Sequence, residues 1–471
     1  MSKVVREDID NLNAVLTVTV EKKDYEPKYL SELAKYRKQA QMKGFRPGKT
    51  PLSVIKKMYG KAVLGDVINE ILQEQINKHL TEEKLEILGQ PIPNETQDPI
   101  DFDLKTLDDY EFKFDLGLAP KFELQGIGTD NSFDFHKVTI TDEMINDDLD
   151  AARQRTGKRI NPEEDIQEKD FLKLEGTELE DGKPKEGGLV HEFSVLVERL
   201  TDEVKAEVLK KKLGDRFTGN IFELEKDAAE SYVRKQLLGL EDDDDREVNS
   251  EFEFEVTEVS RIEPAELDQA FFDQYFGQDV VSSEEEAREK IKESVQKYYD
   301  NQADALLFRD FQEDLMEKNP LDFPKEFLKR WMLVANENAT EEMVEDEYDS
   351  FENNLQWTLI RSKLVDKFDL KVEEDELREG FANQIRGYLG SSPYATEDFV
   401  HSMVDRSMGD EQSLRRMYDE LLTDKLHDAI KGEMTIVEKA IDAEAFKQIA
   451  QEARDKAEAE RGGIVDTGEE E

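Results

Sequence analysis

The chain has 471 residues, of which 113 are acidic and 64 basic, and its formal net charge is −49. The absence of cysteine excludes disulfides, thiolate metal sites and cysteine nucleophiles. The start lacks the apolar core of a signal peptide and no run of about twenty apolar residues occurs, so we expect a cytosolic protein without membrane contacts. The negative charge argues against general affinity for nucleic acid, so any contact with a polyanion must be local.

An α+β domain is predicted for residues 1–118. Apolar and polar residues alternate from Leu12 to Val20 and again from Tyr110 to Leu116, which is typical of half-buried strands. Helical spacing predicts one helix over about 26–42 and another from Pro51 to about Leu80. Two helices against a small antiparallel sheet form such a domain.

Residues 119–164 are predicted to be a connector that contains a polar helix over 141–156. Beyond the connector, a small α+β domain is predicted for residues 165–260, with turns at 181–182 and 187–188. Its strand candidates are Phe171 to Leu174, Phe193 to Val197, Phe217 to Phe222 and Phe252 to Val256.

Residues 261–461 are predicted to form an elongated, almost entirely helical region. The predicted helices cover about 283–318, 324–338, 341–368, 373–388 and 411–434. The acidic, glycine-bearing end at 462–471 is predicted to be disordered. The fold class is therefore multidomain α+β with an all-α C-terminal region.

The stretch from Leu33 to Gly65 reverses the sign of the chain, because it holds nine basic residues and no acid. Average composition would place about eight acids there. At its centre is the turn-forming segment Gly44-Phe45-Arg46-Pro47-Gly48-Lys49-Thr50-Pro51. One interpretation is a solvated turn between two helices. The other is a hook for a polyanion, in which the ring stacks or inserts while the cations contact phosphates or a carboxylate.

Gly44-Phe45-Arg46-x-Gly48-Lys49-x-Pro51 resembles the ribosome-docking signature of bacterial trigger factors, chaperones that sit over the exit tunnel for nascent chains. All six positions match, and similarity extends to segments at 88–91, 110–112, 321–327 and 434–446. The resemblance implies that Phe45, Arg46 and Lys49 contact a ribosomal protein and ribosomal RNA. The candidate ribosome-binding residues are Gly44, Phe45, Arg46, Pro47, Gly48, Lys49 and Pro51.

Residues 165–260 resemble the FKBP-type prolyl isomerase domain of that family. Such a domain needs a dry aromatic pocket that favours the twisted X-Pro amide over a barrier of about 18–20 kcal/mol. The family builds the pocket with an Ile/Val-Pro-Gly loop and several aromatic residues. In the corresponding region this chain has Leu200-Thr201-Asp202-Glu203-Val204, and Gly176 stands where the family would have an aromatic residue after Glu175. We therefore expect a degenerate FKBP-like fold with weak or absent isomerase activity and no catalytic residue to assign. The aromatic residues expected in its own core are Phe171, Phe193, Phe217 and Phe222.

Large apolar residues of the helical region are each more typical of interhelical packing than of ligand contact. Slender helical arms cannot bury all of them, so some should line an open face. Such a face would bind unfolded segments through the total apolar area in contact, with little preference for their sequence. The candidate client-binding residues are Phe271, Phe272, Phe276, Phe327, Trp331, Phe351 and Trp357.

No cofactor or metal site is predicted. The five histidines are isolated, and residues 241–245 lack the residue order of a calcium loop. The predicted function is an ATP-independent chaperone that docks on the ribosome and shields nascent and unfolded polypeptides, with a homodimer off the ribosome left open. Two alternatives also stay open: a protein that is chiefly a prolyl isomerase, and an adaptor that binds structured RNA.

Overall fold

The computed structural model describes residues 3–40, 45, 49–97, 99–162, 165–241, 244, 246–336, 338–390 and 396–461, with side chains up to 457. The chain divides into two compact units. The first contains residues 1–136, 302–439 and 444–471, and the second contains residues 137–301 and 440–443. The predicted disordered tail lies outside the described residues. The predicted domain limits stay a prediction, since the first unit groups the N-terminal segment with C-terminal helices.

The first unit begins with an α+β arrangement, as predicted. Its elements are β1 (Lys3–Asp8), β2 (Asn13–Val20), α1 (Lys22–Gln39), α2 (Leu52–Glu82), β3 (Ile92–Pro93) and β4 (Tyr110–Gly117). The strands form an antiparallel sheet in the order β1-β2-β4-β3. Alternate residues of β2, among them Leu16 and Val18, are buried in a core shared with the apolar stripe of α2. We refer to residues 3–118 as the N-terminal domain.

Helices α1 and α2 approach closely at Gly60 of α2. A Cβ atom at this position would lie 2.9 Å from Leu104 Cδ1 and 3.0 Å from the hydroxyl oxygen of Tyr29 in α1. Since real Cβ atoms essentially never come that near, the missing side chain allows the two helices to pack with Tyr29 fully buried between them.

The second unit contains a six-stranded sheet. Its elements in chain order start with β5 (Ser132–Val138), whose first residues belong to the first unit, and continue with α3 (Asp142–Thr156), β6 (Lys158–Ile160), β7 (Phe171–Glu180), β8 (Lys183–Pro184), β9 (Val190–Leu196), α4 (Asp202–Val208), β10 (Arg216–Asn220), α5 (Glu230–Tyr232) and β11 (Glu251–Glu263). The main order is β10-β11-β7-β8, with β6 on β11 and β9 on β7. Helix α3 begins where predicted, because the Thr141 hydroxyl accepts a hydrogen bond from the backbone N–H of Met144 at 3.3 Å. The predicted strand over 217–222 ends early, and Phe222 lies in a 3₁₀ turn.

The C-terminal half is mostly helical, as predicted. Its elements are α6 (Gln269–Phe276), α7 (Glu284–Lys318), α8 (Lys325–Ala335), α9 (Glu341–Lys367), α10 (Glu374–Leu389), α11 (Glu397–Met408), α12 (Glu411–Glu433), β12 (Thr435–Ile441) and α13 (Ala443–Arg461). The structure adds α6, α11, α13 and the strand β12, which were not among the predicted elements. β12 pairs with β5 in a two-stranded sheet. Its β-branched residues, such as Ile436 and Val437, favour this extended conformation.

Candidate functional site

The predicted docking loop connects α1 to α2. Gly44, Arg46, Pro47 and Gly48 lie outside the described residues. The described part places Phe45 with 41% of its surface exposed, and Lys49 and Pro51 are exposed as well. A phenyl ring that is not packed into the core is available for contact with a partner.

The end of this loop is fixed by the core. Thr50 is fully buried and its hydroxyl has no hydrogen-bond partner among the described residues, while Ile55 of α2 is fully buried one turn later. The chain therefore returns to the core directly after the exposed Lys49.

The cations on this side of the N-terminal domain differ in their pairing. Lys35 lies 2.6 Å from Glu32, and Lys61 lies 2.6 Å from Asp101, a carboxylate contributed by a distant part of the chain. The hydrogen bond to Asp101 raises the pKa of the Lys61 amine. The other basic side chains of the window that the structure describes make no ion pair with a described residue: Arg37, Lys38, Lys49, Lys56 and Lys57.

Two tyrosines on the same pair of helices were not selected from the sequence. Tyr36 of α1 and Tyr59 of α2 stack at a ring-centroid distance of 6.1 Å with 29° between their planes. Both remain more than one-third exposed, at 39% and 36%. The signal that could have identified them is their position within the acid-free window.

Three of the predicted client-binding residues are buried. Phe271 and Phe272 of α6 are 2% and 3% exposed in a core with α3 and α7, and Phe327 of α8 is 4% exposed against the N-terminal domain. Gly117 leaves room for the Phe327 ring, since an added Cβ would lie 2.5 Å from it. The structure corrects the expectation for these three residues, because a client could reach them only after a core had opened.

The other four predicted client-binding residues are half-buried: Phe276, Trp331, Phe351 and Trp357. Trp331 packs on Gly89 and lies 6.1 Å from the ring of Phe351. Exposed apolar groups occur at other positions of α8 to α12 and β12, which the sequence reasoning missed: Val334, Met343, Tyr388, Phe399, Tyr418 and Val437. Tyr388, near the end of α10, is 92% exposed.

Comparisons with known families cover most of the chain in three segments. Residues 2–152 match the family model described as bacterial trigger factor protein, residues 159–264 match the FKBP-like domain of probable trigger factors, and residues 303–450 match their C-terminal domain. The chain belongs to the trigger factor family. It is accordingly a folding chaperone of the ribosome-associated kind, from a family that binds ribosomes and unfolded substrates.

Individual relatives are distant in sequence but similar over most of their length. The trigger factor of Methylorubrum extorquens strain PA1 is 25% identical over 491 aligned positions, covering 97% of this chain and 94% of the relative. The trigger factor of Parvibaculum lavamentivorans is 27% identical, and the alignment covers 81% of this chain and 75% of the relative. A solved structure of a trigger factor chaperone, from work on its promiscuous substrate recognition in folding and assembly, is also similar. Its TM-score is 0.47 at 16% identity, and the match covers 92% of this chain and 99% of the solved one.

The FKBP-like domain of this trigger factor uses its aromatic residues for its own core. Phe193 and Phe217 are buried as predicted, while Phe222 is half-buried against that core and Phe171 is half-buried beneath the guanidinium of Arg159. A side chain at Gly176 would meet the buried rings, since its Cβ would lie 3.2 Å from Phe193. The aromatic residue missing after Glu175 therefore could not be restored without moving the core.

The segment Leu200 to Val204, where the family's Ile/Val-Pro-Gly loop is expected, also takes part in the packing of its own domain. Leu200 is fully buried and bridges to Glu225, and α4 starts two residues later. A cavity of about 360 Å³ in this domain is lined mainly by charged groups, including Glu230, Arg234 and Asp244. Such a cavity is not the dry aromatic pocket that prolyl isomerisation requires.

Two further findings concern the part of the chain that the structure describes. Within it, no helix combines the length and the apolar character needed to cross a membrane. Within the same residues, no cluster of three or more His, Cys, Asp or Glu side chains is arranged to hold a metal ion.

Proposed function

We propose that this protein works in the cytoplasm as an ATP-independent chaperone that docks reversibly on the ribosome through the loop between α1 and α2. Phe45, Arg46 and Lys49 would contact a ribosomal protein and ribosomal RNA beside the exit tunnel. The carrying observation is the exposed ring of Phe45, together with the exposed Lys49 of the same loop, which has no ion-pair partner among the described residues. Gly44, Pro47, Gly48 and Pro51 would shape the loop.

The charge distribution favours contact between a polyanionic partner and the acid-free window at residues 33–65. A chain of net charge −49 repels phosphate groups over most of its surface. Arg37, Lys38 and Lys49 can approach phosphates without first breaking an ion pair with a described residue. The protein would then be oriented on the ribosome with these cations towards the phosphates and its acidic surface away from them.

Exposed apolar residues on helices α8 to α12 favour the proposal that this region binds unfolded chains. Val334, Tyr388 and Phe399 are exposed singly, at 63%, 92% and 42%, so each offers a small apolar contact. Summed apolar area binds without strict sequence preference, and weak individual contacts allow release without nucleotide hydrolysis. The half-buried Phe276, Trp331, Phe351 and Trp357 stay candidates for clients at the margins of their cores, whereas Phe271, Phe272 and Phe327 would require opening.

A ribosome-pelleting assay tests the docking. The variant F45A/R46A/K49A should no longer co-sediment with ribosomes, because it lacks the exposed ring and two cations. The matched control is F399A/R415A/R416A. It removes an equally exposed phenylalanine and two exposed arginines from α11 and α12, so it changes the net charge equally.

Undiminished co-sedimentation of the loop variant would contradict the docking proposal. Equal loss in both variants would show that net charge, rather than this face, decides binding. For the free protein, the homodimer considered from the sequence stays a prediction. Sedimentation velocity of the purified protein over a concentration series measures it.

A further inference from the structure

The stacked tyrosines lie on the two helices that the docking loop joins, yet outside the docking signature. Tyr36 is in the last turn of α1 and Tyr59 is near the start of α2, so the docking loop joins the two helix ends that carry them. With 29° between their planes, the rings are close to parallel and present a broad aromatic surface. Both residues remain more than one-third exposed, so part of each ring can contact a partner.

The surroundings of this pair are cationic. Lys56 lies one turn before Tyr59 on the same side of α2, and the exposed Arg37 follows Tyr36 directly in α1. Lys56 is half-buried, so its methylene stem packs beside the helix while its amine can reach outward. The nearest acid along α1, Glu32, is already engaged by Lys35 at 2.6 Å.

We propose that Tyr36 and Tyr59 form a stacking platform for an unpaired RNA base, whose flanking phosphates are held by Arg37 and Lys56. This inference rests on the proposed docking of the same face on the ribosome, and it adds a contact outside the loop. Aromatic faces that accept bases, combined with cations that follow the backbone, are the usual way in which proteins hold single-stranded nucleic acid.

An acidic protein partner would explain the cations but not the rings. Carboxylates are satisfied by ion pairs and hydrogen bonds, and they gain nothing from two near-parallel aromatic faces. A nucleotide strand combines negative charge with flat, stackable groups, so it matches both features at once. An acidic polypeptide is therefore the competing occupant that the experiment must exclude.

The test uses the full-length protein and a labelled single-stranded oligoadenylate of ten nucleotides, with binding measured by fluorescence anisotropy. Y36L/Y59L keeps apolar side chains but removes the aromatic faces, whereas Y36F/Y59F keeps the faces. The Leu pair should bind the oligonucleotide about ten- to a hundredfold more weakly, as expected for the loss of base stacking. The Phe pair should stay within about twofold of the unmodified protein.

Two controls separate stacking from charge and from position. Inorganic polyphosphate of matched charge should bind the Leu pair as tightly as the unmodified protein, because it has no bases. Y388L, at a fully accessible tyrosine of α10, should leave oligonucleotide binding unchanged. Ribosomes should lose affinity for the Leu pair by about tenfold, as expected when one stacked base contributes to the complex.

The inference is overturned by any of three results: no measurable binding of the oligonucleotide to the unmodified protein, equal binding by the Leu pair, or equal loss in the Leu and Phe pairs. An equal loss of affinity for polyglutamate and for RNA in the Leu pair would assign the face to an acidic polypeptide instead. The docking proposal is judged separately by the F45A/R46A/K49A variant. Ribosome binding that depends on the loop but not on the tyrosines would retain the docking and reject the platform.

Discussion

Arg330 of α8 donates a hydrogen bond of 2.8 Å to the carboxylate of Asp115 in β4, and thereby joins the C-terminal helices to the sheet of the N-terminal domain. The same guanidinium lies 3.0 Å from Glu95 and donates to the carbonyl oxygen of Pro93 at 3.2 Å. The two acids differ in their surroundings, since the Asp115 side chain is 15% exposed and that of Glu95 is 71% exposed. This difference allows their contributions to be separated.

Replacing Asp115 with alanine should lower the free energy of unfolding of this interface by about 1–3 kcal/mol, because partly buried donors lose their acceptor. Asn94 loses its partner too, since its amide donates to Asp115 at 2.5 Å. E95A is the matched control at the same arginine, and exposed ion pairs contribute only about 0–1 kcal/mol. The free energy of unfolding of both variants can be measured by urea titration, with amide hydrogen exchange in β4 and α8 as the readout of this interface. Equal effects of the two would contradict the assigned role of burial.

Gly117 at the end of β4 gives a second test of the same interface. Gly117→Ala would bring a methyl group to 2.5 Å from the Phe327 ring, so the ring or the helix must move. We expect a loss of about 1–3 kcal/mol, as for other overpacked cores. G387A is the control, because an added Cβ there meets nothing within 4 Å and alanine favours the helix α10. A stability of G117A equal to that of the unmodified protein would contradict the close packing described.

Local patterns in the sequence were sufficient for the elements that bury one face. The alternation in β2 and β4 and the apolar stripe of α2 gave the right element types with limits close to those observed. β1 was missed because Lys3, Arg6, Glu7 and Asp8 obscure the alternation of a short edge strand. The exposure of Phe45 could also be anticipated, because no apolar periodicity requires that ring in a core.

Contacts between distant segments could not be read from local patterns. Phe327 and Trp331 looked available for clients, but each packs on a glycine more than 200 positions earlier, Gly117 and Gly89 respectively. The partner surface therefore exists only after the N-terminal domain has folded. The tyrosine pair was missed for the same reason, because its two rings meet across the hairpin of α1 and α2.

His427 of α12 predicts a pH-dependent stability. Burial lowers the pKa of His427 below its ordinary value of 6.5, and its Nε2 has no hydrogen-bond partner among the described residues. The rings of Phe308 and Phe311 in α7 lie 5.5 and 5.9 Å from the imidazole. The charged groups that act on it are Asp304 of α7 and Asp424, Asp428 and Lys431 of α12.

A depressed pKa in the folded state means that the unfolded chain binds the proton more readily. The stabilisation by neutral His427 is therefore complete above pH 6.5 and is lost as the pH falls below that value towards the folded pKa. His427→Phe should flatten this decline in the urea midpoint between about pH 7.5 and 5.5. H401F, at an exposed histidine of α11, should leave it unchanged. An equal decline in H427F and the unmodified protein would contradict the assignment.

The docking face predicts how salt weakens ribosome binding. Each cation that neutralises a phosphate contributes roughly 0.7–0.9 to the slope of log affinity against log salt concentration. Lys49, exposed and without an ion-pair partner among the described residues, should contribute in this way. K49A should therefore lower the slope by about 1, whereas F45A should lower the affinity at every salt concentration with the slope unchanged.

Two other lysines, both in α2, allow a sharper comparison. Lys57 has no ion pair with a described residue, whereas Lys61 is already bound to Asp101 at 2.6 Å. If both faced the ribosome equally, Lys61 would first have to leave its carboxylate, so K61A should change the slope less than K57A does. Co-sedimentation between about 50 and 200 mM salt gives these slopes. A larger effect of K61A would show that the face is oriented differently from the one proposed, with Asp101 displaced in the complex.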